Sequence, residues 1–87
     1  MVYSIQFKRS VAKDLRKLPK ETQRLLLDVI DQELGRDPHQ GEQLKGQFKG
    51  LRRLRQGRYR IIYQIIELEV VVLAVKIGHR KDVYAGM

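Results

Sequence analysis

Eighty-seven residues with a hydrophobic fraction of 43% can fill one small core, so residues 1–87 are expected to form a single domain. The absence of cysteine excludes disulfides and thiolate metal sites, and the two histidines, His39 and His79, have no spacing that suggests zinc. A net charge of +8 favours a polyanionic partner.

The first ten residues, MVYSIQFKRS, lack the apolar run of a signal peptide, and the longest apolar stretch, Val70 to Val75, is too short to cross a bilayer. A cytoplasmic protein without membrane attachment is expected. Along the chain, Val2 to Phe7 alternates and predicts a strand. Ser10 is placed to cap a helix running to about Lys17, with Val11, Leu15 and Leu18 on its apolar side. Pro19 can open a second helix to about Leu34, with Leu26, Val29, Ile30 and Leu34 on one face, Leu25 at its edge, and Gly35 as its stop. RDPHQGEQ reads as a loop. From Phe48 onward the β-branched content predicts three strands: Leu51 to Arg55, Tyr59 to Ile66 and Val70 to Ile77, with reversals at Gln56-Gly57 and Leu68. The order β-α-α-β-β-β predicts a two-layer α+β domain, two N-terminal helices packed on a mostly antiparallel sheet.

The charge is uneven. Residues 1–43 carry eight basic and seven acidic side chains; residues 44–87 carry ten and three. Six cations fall within residues 49–60, and no acid stands between Glu42 and Glu67. A two-residue loop at Gln56-Gly57 would pair Arg55 with Arg58 and Arg53 with Arg60. Those four then share one sheet face, while Arg52, Leu54, Tyr59, Ile61 and Tyr63 take the other and cover the helices. Crowded guanidinium groups repel, and an anion relieves the cost; guanidinium matches phosphate bidentately. The hairpin is expected to cradle a nucleic-acid backbone or an acidic partner protein.

After the last strand comes KIGHRKDVYAGM. If that strand is interior, His79, Arg80 and Tyr84 lie close enough to reach the arginine face. Arginines, one histidine and one tyrosine suit cleavage of RNA by its own 2′-hydroxyl. Arginine stabilises the charge developing on phosphorus, and His79 or Tyr84 carries protons. His79 and Tyr84 have simpler uses, capping a turn or packing the chain end. Lys76 reads as an ordinary solvated cation, Tyr3 and Tyr63 as core or sheet-edge aromatics, and His39 as a loop residue without a role.

The sequence resembles the RelE/ParE toxin superfamily of toxin–antitoxin systems, and its RelE branch most. The resemblance runs from FKRSVAKDLRKLPKE through LKG and LRRLRQGRYRIIYQI to VVVLAVKIGHRKDVY. It implies a ribosome-dependent endoribonuclease that cuts mRNA in the ribosomal A site with no metal or other cofactor. Its catalytic residues would be Arg53, Arg60, Arg80, Tyr84 and His79, and Arg55 is similar to a further basic position of the family; Lys49, Arg52, Arg58 and Lys81 complete, with Arg55, the expected RNA- and phosphate-binding set. It also implies a RelB-like antitoxin partner, and an oligomeric complex that binds operator DNA through the antitoxin. Leu51 stands where some relatives carry a lysine thought to aid proton transfer, and His79 is the residue placed to compensate. The segment from Arg80 to Tyr84 is shorter than in some members. Two other readings compete: a ParE-like poison of DNA gyrase, and a basic RNA- or ribosome-binding module without catalysis.

Overall fold

The computed structural model of the protein describes residues 2–79. Strand β1, Ser4–Phe7, leads into helix α1, Arg9–Arg16, and helix α2, Lys20–Val29. A wider turn of helix, Ile30–Leu34, continues α2. A short hairpin partner, β2, Glu42–Gln43, precedes the long strands β3, Arg52–Gln56, β4, Tyr59–Ile66, and β5, Val71–His79. The five strands form one sheet in the order β1-β5-β4-β3-β2. Only the β1–β5 pair is parallel. The α+β reading of two helices on a mostly antiparallel sheet therefore holds, and β5 is interior. No helix of the described residues is long and apolar enough to cross a membrane.

The helices form where the apolar spacing places them. Val11 and Leu15, four apart in α1, and Leu26, Ile30 and Leu34, four apart along α2 and its continuation, are all buried. They pack on Ile61, Tyr63, Val72, Ala74 and Ile77 of the sheet. Ser10 is not the cap. The cap position is Lys8, and the Ser10 hydroxyl lies inside α1, 3.5 Å from the Val75 carbonyl. Where β1 ends, α1 takes over the exposed margin of β5: Asp14 accepts the Ile77 amide at 3.3 Å and the Lys76 ammonium at 3.2 Å. Lys76, expected to be a plain surface cation, is thus part of the edge closure. Gly35 does end the helix, and it does so for want of space. Its amide reaches the Ile30 carbonyl at 3.1 Å, and a Cβ there would come within 2.4 Å of the Asp31 carbonyl oxygen.

Two details of the sheet fix where side chains point. The β3–β4 turn is Gly57-Arg58, one residue later than expected, because Gly57 takes a φ of 59° at the first loop position, where a left-handed residue is needed. The register becomes Arg55 opposite Arg60 and Arg53 opposite Ile62. Moving the loop by one residue moves each partner by two, so the faces are preserved. The second detail is an irregularity between Ile62 and Tyr63, opposite Lys76 and Ala74, which makes Val75 an extra residue in β5.

The segment expected to be pure loop carries structure. Pro38–Gln40 forms one helical turn, and Glu42–Gln43 then pairs with Arg53 and Arg52. Its anchor is Tyr63, fully buried, whose hydroxyl donates to the Pro38 carbonyl at 2.5 Å and accepts the Gly41 amide at 3.1 Å. Burial pushes the Tyr63 phenol above its ordinary pKa.

Candidate functional site

The face of the sheet turned away from the helices carries Arg53 and Arg55 from β3 and Arg60 and Ile62 from β4. Ile62 is fully buried on that face, with Arg53 and Lys76 as its cross-strand neighbours. Both side chains are largely covered, and the Lys76 ammonium is bonded to Asp14. The Arg53 side chain is only 13% exposed.

One acid enters this cluster. Glu42 of β2 stands directly opposite Arg53, and its Oε2 accepts a hydrogen bond from Arg53 Nη2. That bond, and then the charge of Arg53, hold the Glu42 carboxyl below the usual carboxylate range; desolvation opposes them, and the charges of Arg55 and Arg60 add smaller contributions in the same direction as Arg53. Three arginines from two strands thus act on a single carboxylate. The carboxylate is itself largely open, with its side chain 62% exposed.

The remaining candidates fall elsewhere. Arg58 sits exposed in the turn, outside the ladder, so the expected fourth member of the arginine face is displaced to the sheet's end. Arg52 projects to the helix side, where its guanidinium donates to the carbonyls of His39 at 3.1 Å and Gly41 at 2.9 Å. It ties down the loop before β2 and does not join the cluster. Lys49 lines a separate cleft of about 370 Å³ with Leu44, Arg52 and Glu67. His79 pairs with Tyr59 across the ladder and meets its ring edge-on at 5.7 Å, which puts it on the face opposite Arg53 and at the same end of the sheet as Arg58. Arg80, Lys81 and Tyr84 lie outside the described residues. Among the described residues no three His, Cys, Asp or Glu side chains gather as metal ligands would.

A family model described as the ParE toxin of type II toxin–antitoxin system, parDE, matches residues 5–84. The chain belongs to this family of toxins. Among its relatives, Toxin RelG from Mycobacterium tuberculosis is 29% identical over 85 residues, covering 97% of this chain and 98% of that one. The crystal structure of the RelBE2 toxin–antitoxin complex from M. tuberculosis matches with a TM-score of 0.88 and 27% identity, over 92% of this chain and 100% of that chain. The archaeal RelE–RelB complex from Pyrococcus horikoshii OT3 matches with a TM-score of 0.69 and 31% identity, over 93% and 98%.

Two features of the toxin's site escape the sequence reading. Glu42 is the last acid before the acid-free stretch, and its role follows only once the two-residue strand β2 is known to pair with β3. His39, given no part, bonds through Nε2 to Glu67 Oε1 at 2.7 Å, and Tyr3 donates to Glu67 Oε2 at 3.1 Å. That trio fastens the β4–β5 turn to the loop before β2, and the turn itself is strained, with Val70 at a φ of 54°.

Proposed function

We propose that this toxin is a ribosome-dependent endoribonuclease that cleaves mRNA in the ribosomal A site through attack of the message's own 2′-hydroxyl. The observation that carries the reading is the placement of Arg53, Arg55 and Arg60 on one free face of the sheet, with the exposed Glu42 carboxylate bonded to Arg53. In this reading a phosphodiester displaces Glu42. Arg53 and Arg60 then stabilise the negative charge that grows on the non-bridging oxygens as the 2′-oxygen attacks. The 2′-oxygen forms a bond to phosphorus, the 5′-oxygen leaves, and the products are a 2′,3′-cyclic phosphate and a 5′-hydroxyl. One proton leaves the 2′-hydroxyl and one reaches the 5′-oxygen. Proton transfer is assigned to Tyr84, with Arg80 as a further phosphate contact; these roles rest on the RelE-type HR-x-x-VY motif, and His79, on the face opposite Arg53, is given no proton-transfer step. Arg55 and Arg58 steer the message electrostatically.

The RelE–RelB complexes among the structural relatives support an antitoxin partner for this chain. A protein that covers the arginine face would silence it, and a net charge of +8 favours an acidic segment for that task. Binding of operator DNA by the assembled complex belongs to the antitoxin in this reading.

Expression in a translating extract, followed by primer extension on a defined message, tests the reading. Codon-phased cuts that require ribosomes are the expected result. Inhibition of gyrase supercoiling with the message left intact would replace it with the gyrase-poison reading, and RNA binding without any cut product would reduce the toxin to a binding module.

A further inference from the structure

A second concentration of positive charge lies away from the arginine face. α1 carries Arg9, Lys13 and Arg16 at i, i+4 and i+7, so the three line one side of the helix, opposite the buried Val11 and Leu15. Lys17 closes the helix and Lys20 opens α2, and all five cations are exposed. α1 has one acid, Asp14, and it is engaged elsewhere: its side chain is 12% exposed, and its carboxylate accepts the Lys76 ammonium and the Ile77 amide. Among the described residues none of the five cations forms an ion pair. Arg9 also stands in the first helical turn, which has no acid and where the helix dipole disfavours a cation. The ridge is joined to the arginine face. Arg53, Ile62 and Lys76 are neighbours across three strands, Lys76 shares a cleft of about 450 Å³ with Lys8, and Lys8 precedes Arg9.

The composition of the ridge selects the partner. A surface suited to solubility alone interleaves both signs, and the α1 ridge has one. A protein interface centres on apolar or aromatic side chains and is poor in lysine; the ridge has only the exposed Ala12 beside it. A phosphate backbone requires no apolar centre. Arg9 to Arg16 spans about 10 Å of helix, which faces about three phosphates on one strand of a nucleic-acid duplex. We propose that the exposed side of α1 binds the phosphate backbone of double-helical RNA, while the arginine face takes the single strand that is cut. The proposal rests on the reading of the toxin as acting on the ribosome, and it adds what the arginine face lacks, a contact that holds the toxin beside its message without touching the scissile bond.

The test uses the full-length toxin and an Arg9→Gln, Lys13→Gln, Arg16→Gln variant, with a short blunt RNA duplex and a 2′-O-methylated single strand as probes. Fluorescence anisotropy at several salt concentrations should show the variant binding the duplex about tenfold more weakly, with a salt slope smaller by about two to three, the value for three lost phosphate contacts. The single strand should bind the variant as it binds the wild type, which also reports an intact fold. Arg53→Ala should weaken the single strand and leave the duplex nearly unchanged. In a translating extract the variant should need about tenfold more ribosomes for half-maximal cutting, with the same maximal rate. Duplex binding indifferent to the three substitutions overturns the α1 surface, and so does an equal loss for both probes, which is a general effect of charge. The nuclease reading stands or falls separately, on whether the wild type cuts the message at all.

Discussion

Glu42 sets the resting state of the arginine cluster. Its carboxylate stands opposite Arg53 and is bonded to it, so under the proposed mechanism a phosphate must compete with it. Glu42→Gln removes the competing charge and keeps the shape, and the affinity of the toxin for a short uncleavable RNA should rise several-fold. An unchanged affinity by fluorescence anisotropy would show that Glu42 and the phosphate do not share a place. For cleavage, Arg53→Ala and Arg60→Ala should each lower the rate about 10²- to 10³-fold, the loss typical of one charge-stabilising donor. His79→Ala should cost about tenfold, because His79 faces Tyr59 on the far side of the sheet. Codon-phased primer-extension rates for the three variants rank them directly. The cluster was legible in the sequence because alternation along a strand depends only on parity; the one-residue displacement of the turn to Gly57-Arg58 left Arg53, Arg55 and Arg60 on one face. Arg52 was not legible as a structural residue, since its carbonyl partners at His39 and Gly41 come from a loop eleven and more residues away.

At the level of elements, the β2 segment shows what a short strand can hide. Two residues carry no periodicity, so nothing in Glu42–Gln43 announces a strand, and the pairing exists because Tyr63 pulls the preceding turn onto the sheet. Gly41 is the point of closest approach: a Cβ there would lie 2.0 Å from the Tyr63 hydroxyl. Gly41→Ala should therefore destabilise the toxin by about 1–3 kcal/mol through overpacking, seen as a lower midpoint in urea. It should also weaken RNA binding by shifting Glu42 and Arg53 together. An unaltered midpoint would mean the loop is not fastened by Tyr63. The long elements were readable because their apolar residues repeat at 3.6 or 2 over enough length: Leu26, Ile30 and Leu34 in one case, Ile61 and Tyr63 in the other. The wider helical turn at Ile30–Leu34 and the extra residue Val75 carry no such signal: each breaks the local period, as where the core-facing residues of β5 step from Val72 and Ala74 to Ile77.

For the whole molecule, charge and stability are linked through the few acids. Glu42 and Glu67 both have carboxyls held below the ordinary range, Glu42 chiefly by the hydrogen bond from Arg53 and Glu67 chiefly by its bond with His39. A carboxyl lowered in the folded state contributes stability above its unfolded pKa, and that contribution fades as the pH falls through the lower, folded value. The toxin should lose stability as the pH drops below the usual carboxylate range, and a Glu42→Gln, Glu67→Gln double variant should lose less over the same interval. Parallel urea midpoints for the two proteins at every pH would contradict this. Both groups are open to solvent, so the difference is small. The fold, the asymmetry of charge and the outward arginine face together make one claim: Arg53 and Arg60 grip a single phosphodiester. The most direct measurement is a crystal structure of the toxin with a 2′-O-methylated dinucleotide. One phosphate bridging the Arg53 and Arg60 guanidinium groups, with Glu42 displaced from Arg53, is the expected result; a phosphate bound elsewhere, with the Glu42–Arg53 pair intact, would contradict it.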